Sequence, residues 1–406
     1  MKYIVLLGDG MADLPIPELG NKTPLQAANK PAMDFLAQNG TMGMVKTVPD
    51  GIPPGSDAAN LSVFGYDPKK YYTGRSPIEA VSMGINLSPT DVAVRCNLVT
   101  LSSDSISSDR DDKTIIDYSA DEITTEEAKI LIEAVAAQLN DNEVTFHPGI
   151  SYRHCMVWNN GTTGLGLTPP HDILDRVIAG YLPKNEKLLR LMRDSYEILK
   201  NHPVNLRRKE NGLHTADSIW LWGEGTRLSV PSYRDKYNLT GSVISAVDLL
   251  KGIGICAGLD VIDIPGATGN IHTNYEGKMN AALNELKSGK DFVYIHIEAP
   301  DECGHRHEIE NKVLSIELID QKILKPLLDG LTFDDYKILL MPDHPTPLSL
   351  RTHTSDPVPF VIYDSRDSAG RARCPQRAVY DEEHAAKTGI YVAEGHKLMD
   401  LFLGTV

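Results

Sequence analysis

Three short apolar runs in this sequence end in side chains that bind metal ions. Residues 3–8 (YIVLLG) stop at Asp9. Residues 292–297 lead into Glu298-Ala299-Pro300-Asp301-Glu302-Cys303-Gly304-His305, and residues 338–341 into Pro342-Asp343-His344, with Arg351-Thr352-His353-Thr354 just beyond. In open α/β sheets function sits at the carboxyl ends of strands. Carboxylate oxygens combined with imidazole nitrogens suit Mn²⁺ or Zn²⁺, particularly as a two-metal centre. Taken singly each piece is weak, because an Asp at a strand end is commonly a turn residue or a helix cap. The same composition at successive strand ends is what gives the set weight. His307 and Glu308 read as solvated residues at a helix start.

A nucleophile stands apart from this set. In Pro53-Pro54-Gly55-Ser56-Asp57-Ala58-Ala59-Asn60 a serine follows a Pro/Gly loop, at the expected start of a helix over residues 58–63. Free N–H groups and the helix dipole stabilise an anion there. Ser56 is then either an alkoxide that accepts a phosphoryl group or a plain N-cap. Other nucleotide and hydrolase signatures are missing. There is no G-x-x-x-x-G-K-[ST] and no G-x-S-x-G. The glycines of Gly252-Ile253-Gly254 follow a helix pattern and precede a strand, the reverse of the dinucleotide-binding order.

The elements that must position these residues alternate. The apolar runs at 3–8, 292–297, 338–341 and 360–363, with a strand-like 259–264, suit strands buried on both faces. Ile309, Val313, Ile316, Ile323 and Leu327 recur at helical spacing between two of them. The pattern predicts an α/β core, its mostly parallel sheet flanked by helices. The middle of the chain differs. Residues 102–112 are polar and turn-rich. Thr124 with Glu127 forms a capping-box signature for a helix over 128–139, and a second helical segment spans 186–200. Residues 98–203 read as an inserted α+β domain, dividing the core into 1–97 and 204–406.

Composition excludes other classes. With 40 Lys+Arg against 55 Asp+Glu the net charge is −15, which argues against a nucleic-acid partner. The longest mixed apolar stretch, residues 242–264, contains Asp248, Lys251 and Asp260, so no membrane span is expected. The apolar run at the N-terminus is too short for a signal peptide. Five scattered cysteines without a C-x-x-C give neither a disulfide framework nor a structural zinc site, and the cytoplasm is the expected compartment.

Asp9, Ser56 in P-P-G-S-D-A-A-N, Asp301 and His305 in D-x-x-x-H, Asp343-His344 and His353 together resemble the alkaline phosphatase superfamily. Within it the chain is similar to archaeal-type 2,3-bisphosphoglycerate-independent phosphoglycerate mutases. The likeness extends through residues 149–154, 169–172, 219–223, 264–269 and 298–305. It implies an isomerase of glycolysis and gluconeogenesis, interconverting 3- and 2-phosphoglycerate through a phosphoserine. One metal ion would be held by Asp9, Ser56, Asp343 and His344, the other by Asp301, His305 and His353. Mn²⁺ is the usual ion, with Co²⁺, Zn²⁺ or Mg²⁺ as variants, and 2,3-bisphosphoglycerate is not needed. Ser56 would carry the phosphoryl group, and the inserted segment would close over a small phosphorylated hydroxy acid and exclude water.

A substrate carboxylate or phosphate needs Arg or His clamps. Arg153, His154, Arg207 and Arg208 are candidates, or else ordinary surface cations. His171 and Asp172 are candidates for the acid/base pair, Asp172 being equally readable as a cap. Lys251 either approaches Ser56 or closes a helix that ends at Gly252. Three other functions share the core: a kinase on a hydroxy acid such as homoserine, a phosphomonoesterase or phosphodiesterase, and a silent binding module. The kinase would need a nucleotide donor for which no motif is present, and the complete metal set argues against a silent module.

Overall fold

A computed structural model describes residues 1–102, 110–369 and 378–405. Most of the polar run at 102–112, and Cys374, lie outside the described residues. The chain forms two units, one of Met1–Tyr72 with Ser229–Val406 and the other of Thr73–Leu228. In chain order the first unit contributes β1 (Lys2–Gly8) and β2 (Thr41–Val45). The second contributes β3 (Val92–Leu101), β4 (Ile115–Asp117), β5 (Val144–His147), β6 (Arg153–Trp158) and β7 (Ser218–Thr226). The first resumes with β8 (Gly241–Ile244), β9 (Asp260–Val261), β10 (Phe292–Ile297), β11 (Tyr336–Met341), β12 (Val358–Asp364) and β13 (Tyr391–Val392).

The first unit is an α/β fold. Its sheet runs β13-β2-β12-β11-β1-β10-β8-β9. The central β11, β1, β10 and β8 are mutually parallel, and β12 alone runs against its neighbours. Both faces are covered, which is why these strands read as continuous apolar runs rather than alternating ones. On one face Ile4, Leu6, Val293, Ile295, Ile338 and Leu340 pack with Met33, Leu36, Leu283 and Ile316 from helices. On the other, the rings of Phe64 and Tyr294 stack at 4.2 Å. The helical pattern from Ile309 is realised as Ile309–Ile319 and Lys325–Gly330 joined by one π-helical segment, Asp320–Leu324. That segment aims the Asp320 carboxylate at the backbone N–H groups of Ala32 and Met33, satisfying donors that a helix start leaves unpaired. The expected strand at 259–264 is shorter, only β9.

The second unit is an antiparallel sheet in which β3 pairs with both β6 and β7, while β5 adds to β6 and β4 follows the end of β3. The helices Thr125–Leu139 and Glu186–Leu199 cover one face through Leu131, Ile132, Val135, Leu188 and Leu191. Residues 73–97 and 204–228 therefore belong to this unit rather than to the core, as the boundaries 98 and 203 had placed them. The reason is pairing. Residues 92–97 form most of β3, and its partner β7 lies beyond residue 203. Thr124 caps its helix by accepting from Glu127 N–H, but the Glu127 carboxylate does not complete the box, being bound to Arg208.

Candidate metal centre and nucleophile

Because β10, β1 and β11 are adjacent and parallel, their last residues arrive side by side, with Gly8 opposite Ile297 and Leu7 opposite Met341. The next residues are the ones singled out by type. Asp9 follows β1 directly. After β10 the helix Ala299–Arg306 starts at once, and Asp301 in its first turn lies one turn from His305, the spacing that puts two side chains on one helix face. After β11 come Asp343 and His344.

These side chains converge in two groups. Ligand atoms of Asp9, Asp343 and His344 lie within 4.8 Å of one another, and so do those of Asp301, His344 and His353. His344 Nε2 is 3.5 Å from Asp9 Oδ1, 3.3 Å from Asp343 Oδ2 and 3.0 Å from Ser56 Oγ. Asp301 is 3.3 Å from His305 Nε2 and 3.4 Å from His353 Nε2, and those two ring nitrogens are 2.9 Å apart. All seven residues that the sequence proposed as ligands are thus brought together in the first unit.

Ser56 is not the helix cap. Gly55 takes that position, and Ser56 opens the helix Ser56–Val63 with its hydroxyl on His344. Asn60, fully buried one turn later, donates to the Ser56 carbonyl at 2.8 Å and to Asp343 Oδ2 at 2.7 Å, and accepts from Tyr294 OH at 2.6 Å. The nucleophile and a carboxylate are thereby fixed to one another.

The electrostatics call for a cation. Burial, with Asp343 and Asp301 nearby, pushes the Asp9 carboxyl well above its usual range. Burial would raise Asp301 too, yet hydrogen bonds from His305 and His353 hold it well below. The same bond to Asp301 lifts His305 to about 9, while burial lowers His344. Asp9 Oδ1 is buried without a hydrogen-bond partner, and such an atom costs free energy unless something binds it. His305 Nδ1 donates to the Arg351 carbonyl at 3.0 Å, which turns its Nε2 toward Asp301 and His353. A carbonyl-oriented imidazole of this kind is the usual support of a metal ligand. The donor set, carboxylate oxygens with imidazole nitrogens, fits divalent metal ions.

Sequence reasoning missed the residues behind this layer. His296, inside the apolar β10, is fully buried. Because a carboxylate only accepts, His296 Nε2 carries the ring proton toward Asp9, and Nδ1 accepts from the Ser245 hydroxyl at 3.1 Å. The His296 Nε2–H bond to Asp9 Oδ2 is 2.9 Å. One oxygen of Asp9 is held and the other left open. A histidine in an otherwise apolar strand was the only available signal.

The remaining candidates fall in the second unit, apart from Lys251. Arg153 and Asn97 are paired across β6 and β3, as are Cys155 and Arg95, so all four share one face of the sheet. Arg95 lies over the Trp222 ring at 4.3 Å, and Glu79 binds it at 3.0 Å and Arg75 at 2.6 Å. Burial lowers Arg95 to about 10. His171 packs edge-on to Trp222 at 5.2 Å, beside Tyr118, and its Nε2 is 3.8 Å from Asp172. Arg75, Arg95 and Trp222 were not anticipated, although an Arg in the apolar run of β3 is such a signal.

Four expectations are corrected. His154 points to the opposite face from Arg153, since neighbours on a strand alternate. It accepts from Gly149 N–H at 3.0 Å, and burial lowers it to about 3. Arg208 is buried and spent on Glu127 and the carbonyls of Ala120 and His214, so it braces the fold. Lys251 ion-pairs with Asp263 at 2.6 Å. Its helix, Asp248–Cys256, continues through both glycines, Gly254 lying against Val243. Arg207 is exposed on the helix Pro203–Glu210. His307 is the left-handed residue that ends the helix Ala299–Arg306 rather than a helix start, and it bonds the Leu348 carbonyl.

The first unit is thus an α/β fold that gathers carboxylates and imidazoles at and beyond the ends of adjacent parallel strands and sets a helix-start serine beside them. Comparison with known proteins is more specific. The family model described as 2,3-bisphosphoglycerate-independent phosphoglycerate mutase matches residues 37–205. A Geobacter sulfurreducens protein named as a probable 2,3-bisphosphoglycerate-independent phosphoglycerate mutase is 52% identical, covering 99% of this chain and 100% of its own length. A Methanosarcina barkeri enzyme of that name is 48% identical, with 99% of each chain covered. Among solved structures, the cofactor-independent phosphoglycerate mutase of Thermoplasma acidophilum superposes with a TM-score of 0.66 at 27% identity, covering 100% of both chains. A Pyrococcus horikoshii protein reaches 0.83 at 28% identity, covering 100% of this chain and 98% of its own. The chain belongs to the 2,3-bisphosphoglycerate-independent phosphoglycerate mutase family.

Proposed function

We propose that the chain interconverts 3- and 2-phosphoglycerate, with Ser56 as the transient phosphoryl carrier. The observation that carries this is the Ser56 hydroxyl, displaced from capping duty and held 3.0 Å from His344 Nε2 within the carboxylate cluster. Asp9, Ser56, Asp343 and His344 would hold one divalent ion and Asp301, His305 and His353 the other, with Mn²⁺ expected. Such ions offset the dianionic phosphate and lower the hydroxyl pKa of the serine. Ser56 Oγ bonds to phosphorus as the bond from phosphorus to the glycerate oxygen breaks. The reverse transfer then occurs at the other glycerate hydroxyl, so no atom is gained or lost overall.

The second unit supplies what the free glycerate needs. Three guanidinium groups, Arg75, Arg95 and Arg153, face one carboxylate, Glu79, beside an aromatic wall. That surplus suits a carboxylate. His171 and Asp172, both exposed beside it, are proposed to take and return the hydroxyl proton. Closure of this unit over the substrate would keep water from the phosphoserine. Among the described residues no helix is long and apolar enough to cross a membrane; the proposed place of action is the cytoplasm.

The test is to load the protein with Mn²⁺, add 3-phosphoglycerate alone, and follow 2-phosphoglycerate and inorganic phosphate. Conversion without bisphosphate and without phosphate release is expected. Phosphate release alone would make it a phosphatase, and turnover only with ATP and homoserine would make it a kinase.

A further inference from the structure

Thr346 lies behind the metal centre, between its two halves. Pro342, Pro345 and Pro347 surround it in sequence and restrict the backbone after β11. Thr346 is fully buried. Its N–H donates to the Ala12 carbonyl at 3.3 Å, and its own carbonyl accepts from the buried Lys312 ammonium at 2.7 Å. Two glycines make room for it. A Cβ on Gly10 would lie 2.6 Å from Thr346 Oγ1, and one on Gly304 would lie 2.5 Å from the Thr346 carbonyl oxygen. Backbone and side chain are therefore held from every side.

The hydroxyl touches a residue of each half. It donates to Asp301 Oδ1, and His344 Nδ1 is 3.3 Å away. A carboxylate can only accept, so the threonine proton goes to Asp301 and the threonine oxygen is an acceptor toward His344. The Pro345 carbonyl is a second acceptor near that ring. Nδ1 of His344 consequently carries the ring proton, and the lone pair sits on Nε2, the atom that faces Ser56, Asp9 and Asp343.

We propose that Thr346 is a positioning residue that fixes the His344 tautomer through one hydrogen bond and the Asp301 carboxylate through another, coupling the two halves of the centre. The inference rests on reading these residues as a two-metal site. A continuous chain results: Ser56 hydroxyl to His344 Nε2, His344 Nδ1–H to Thr346, Thr346 hydroxyl to Asp301. Loss of the threonine hydroxyl should disturb a ligand of each ion although Thr346 binds neither, since outer hydrogen bonds of this kind typically contribute 10–100-fold in metal affinity.

The test uses the full chain and Thr346→Val, which keeps the shape and removes the hydroxyl, with Thr346→Ser, which keeps the hydroxyl. Calorimetric titration with Mn²⁺ should give two ions per wild-type chain, about 10–100-fold weaker binding in Thr346→Val, and near wild-type binding in Thr346→Ser. In parallel, ¹⁵N spectra of histidine-labelled, metal-free protein should show His344 protonated at Nδ1 in the wild type and in Thr346→Ser, and a mixed tautomer in Thr346→Val. Wild-type affinity and tautomer in Thr346→Val would overturn the proposal, as would a Thr346→Ser protein as impaired as the valine variant. If Thr346→Val does not fold, the serine variant and the wild-type tautomer still decide it: a wild-type His344 protonated at Nε2 overturns it. Failure of the wild type to bind two ions would sink the two-metal reading instead, while the metal-free tautomer would still report on Thr346.

Discussion

At the scale of single residues, Ser56 and Arg95 separate chemistry from binding. Ser56→Ala should lower kcat by at least about a thousand-fold, because no neighbouring group replaces a lost nucleophile. The melting temperature should stay close to that of the wild type, since Asn60 bonds the Ser56 backbone carbonyl rather than its hydroxyl. A variant with full turnover would exclude Ser56 as phosphoryl carrier. Arg95→Lys should act differently. Lysine keeps the charge but loses the planar fork that lies on Trp222 and meets Glu79. A rise of about ten-fold in KM for phosphoglycerate, on the order of 1.4 kcal/mol, with a smaller change in kcat, is the expected steady-state result. An unchanged KM would remove Arg95 from the clamp. Most of the ligand set was legible in the sequence because Asp9, Asp301, Asp343 and His344 lie at or within a few residues of a strand end, with His305 one helical turn on and His353 a short loop further. Arg95, His296 and Thr346 were not, because their roles come from partners remote in sequence that only the folded sheet assembles.

Elements were legible where periodicity was strong and local. The strands ending at Gly8, Ile297 and Met341 were found because two buried faces leave an unbroken apolar run. The helix carrying Lys251 was cut short at Gly252, since glycine is a poor helix former and a frequent stop. Packing explains why it continues. A Cβ at Gly254 would come within 2.6 Å of Val243 Cγ2 on β8, so the glycine lets the helix lie against the strand. Gly254→Val should therefore destabilise the first unit by about 1–3 kcal/mol, through overpacking. Urea unfolding would show a lower midpoint with an unchanged slope. A midpoint equal to the wild type would mean that the helix has room to retreat. The second unit was the harder case. The pairing of β3 with β7 spans more than a hundred residues of sequence, and composition around residues 98 and 203 gives no trace of it.

At the scale of the whole molecule, the net charge of −15 concerns solubility more than site chemistry. One partly buried acid nonetheless ties stability to pH. Glu382 accepts from Thr23 Oγ1 at 2.7 Å and from Asp13 N–H at 3.1 Å, with Asp381 beside it and Asp13 itself bound to Lys312. Burial outweighs those hydrogen bonds and pushes its carboxyl up to about 7. An unfolded glutamate titrates near 4.3. Between these values the folded chain holds a proton that the unfolded chain has released, so stability falls as pH rises. The contribution is fully present below about pH 4 and is lost as pH passes through 7, on the order of 2 kcal/mol after allowing for partial exposure of the residue. Glu382→Gln cannot ionise and should flatten this slope. Denaturant midpoints of wild type and variant, measured from pH 4.5 to 8 in the presence of chelator, should diverge toward alkaline pH in favour of the variant. Parallel curves would place the titration on another group.

Metal binding should act on the same balance from the opposite direction. Three carboxylates, Asp9, Asp301 and Asp343, are buried at adjacent strand ends, and folding without a cation must hold them together. Any ion that binds the folded chain and not the unfolded one stabilises it by mass action, about 2.7 kcal/mol per independent site at a free concentration one hundred times Kd. Two sites of that strength would raise the melting temperature by roughly 10–20 °C for a unit of this size. Chelation should reverse the rise and abolish turnover together, and Mn²⁺ should restore both. The first unit contains all seven candidate ligands, so the rise should appear in the transition of that unit and leave the unfolding of the second unchanged. Fluorescence is suited to the distinction, because Trp158, Trp220 and Trp222, the three tryptophans of the chain, all lie in the second unit. A metal-dependent shift in the circular dichroism transition, with tryptophan emission melting at its former temperature, is the expected pattern. A tryptophan transition that moves equally would show that the two units unfold as one.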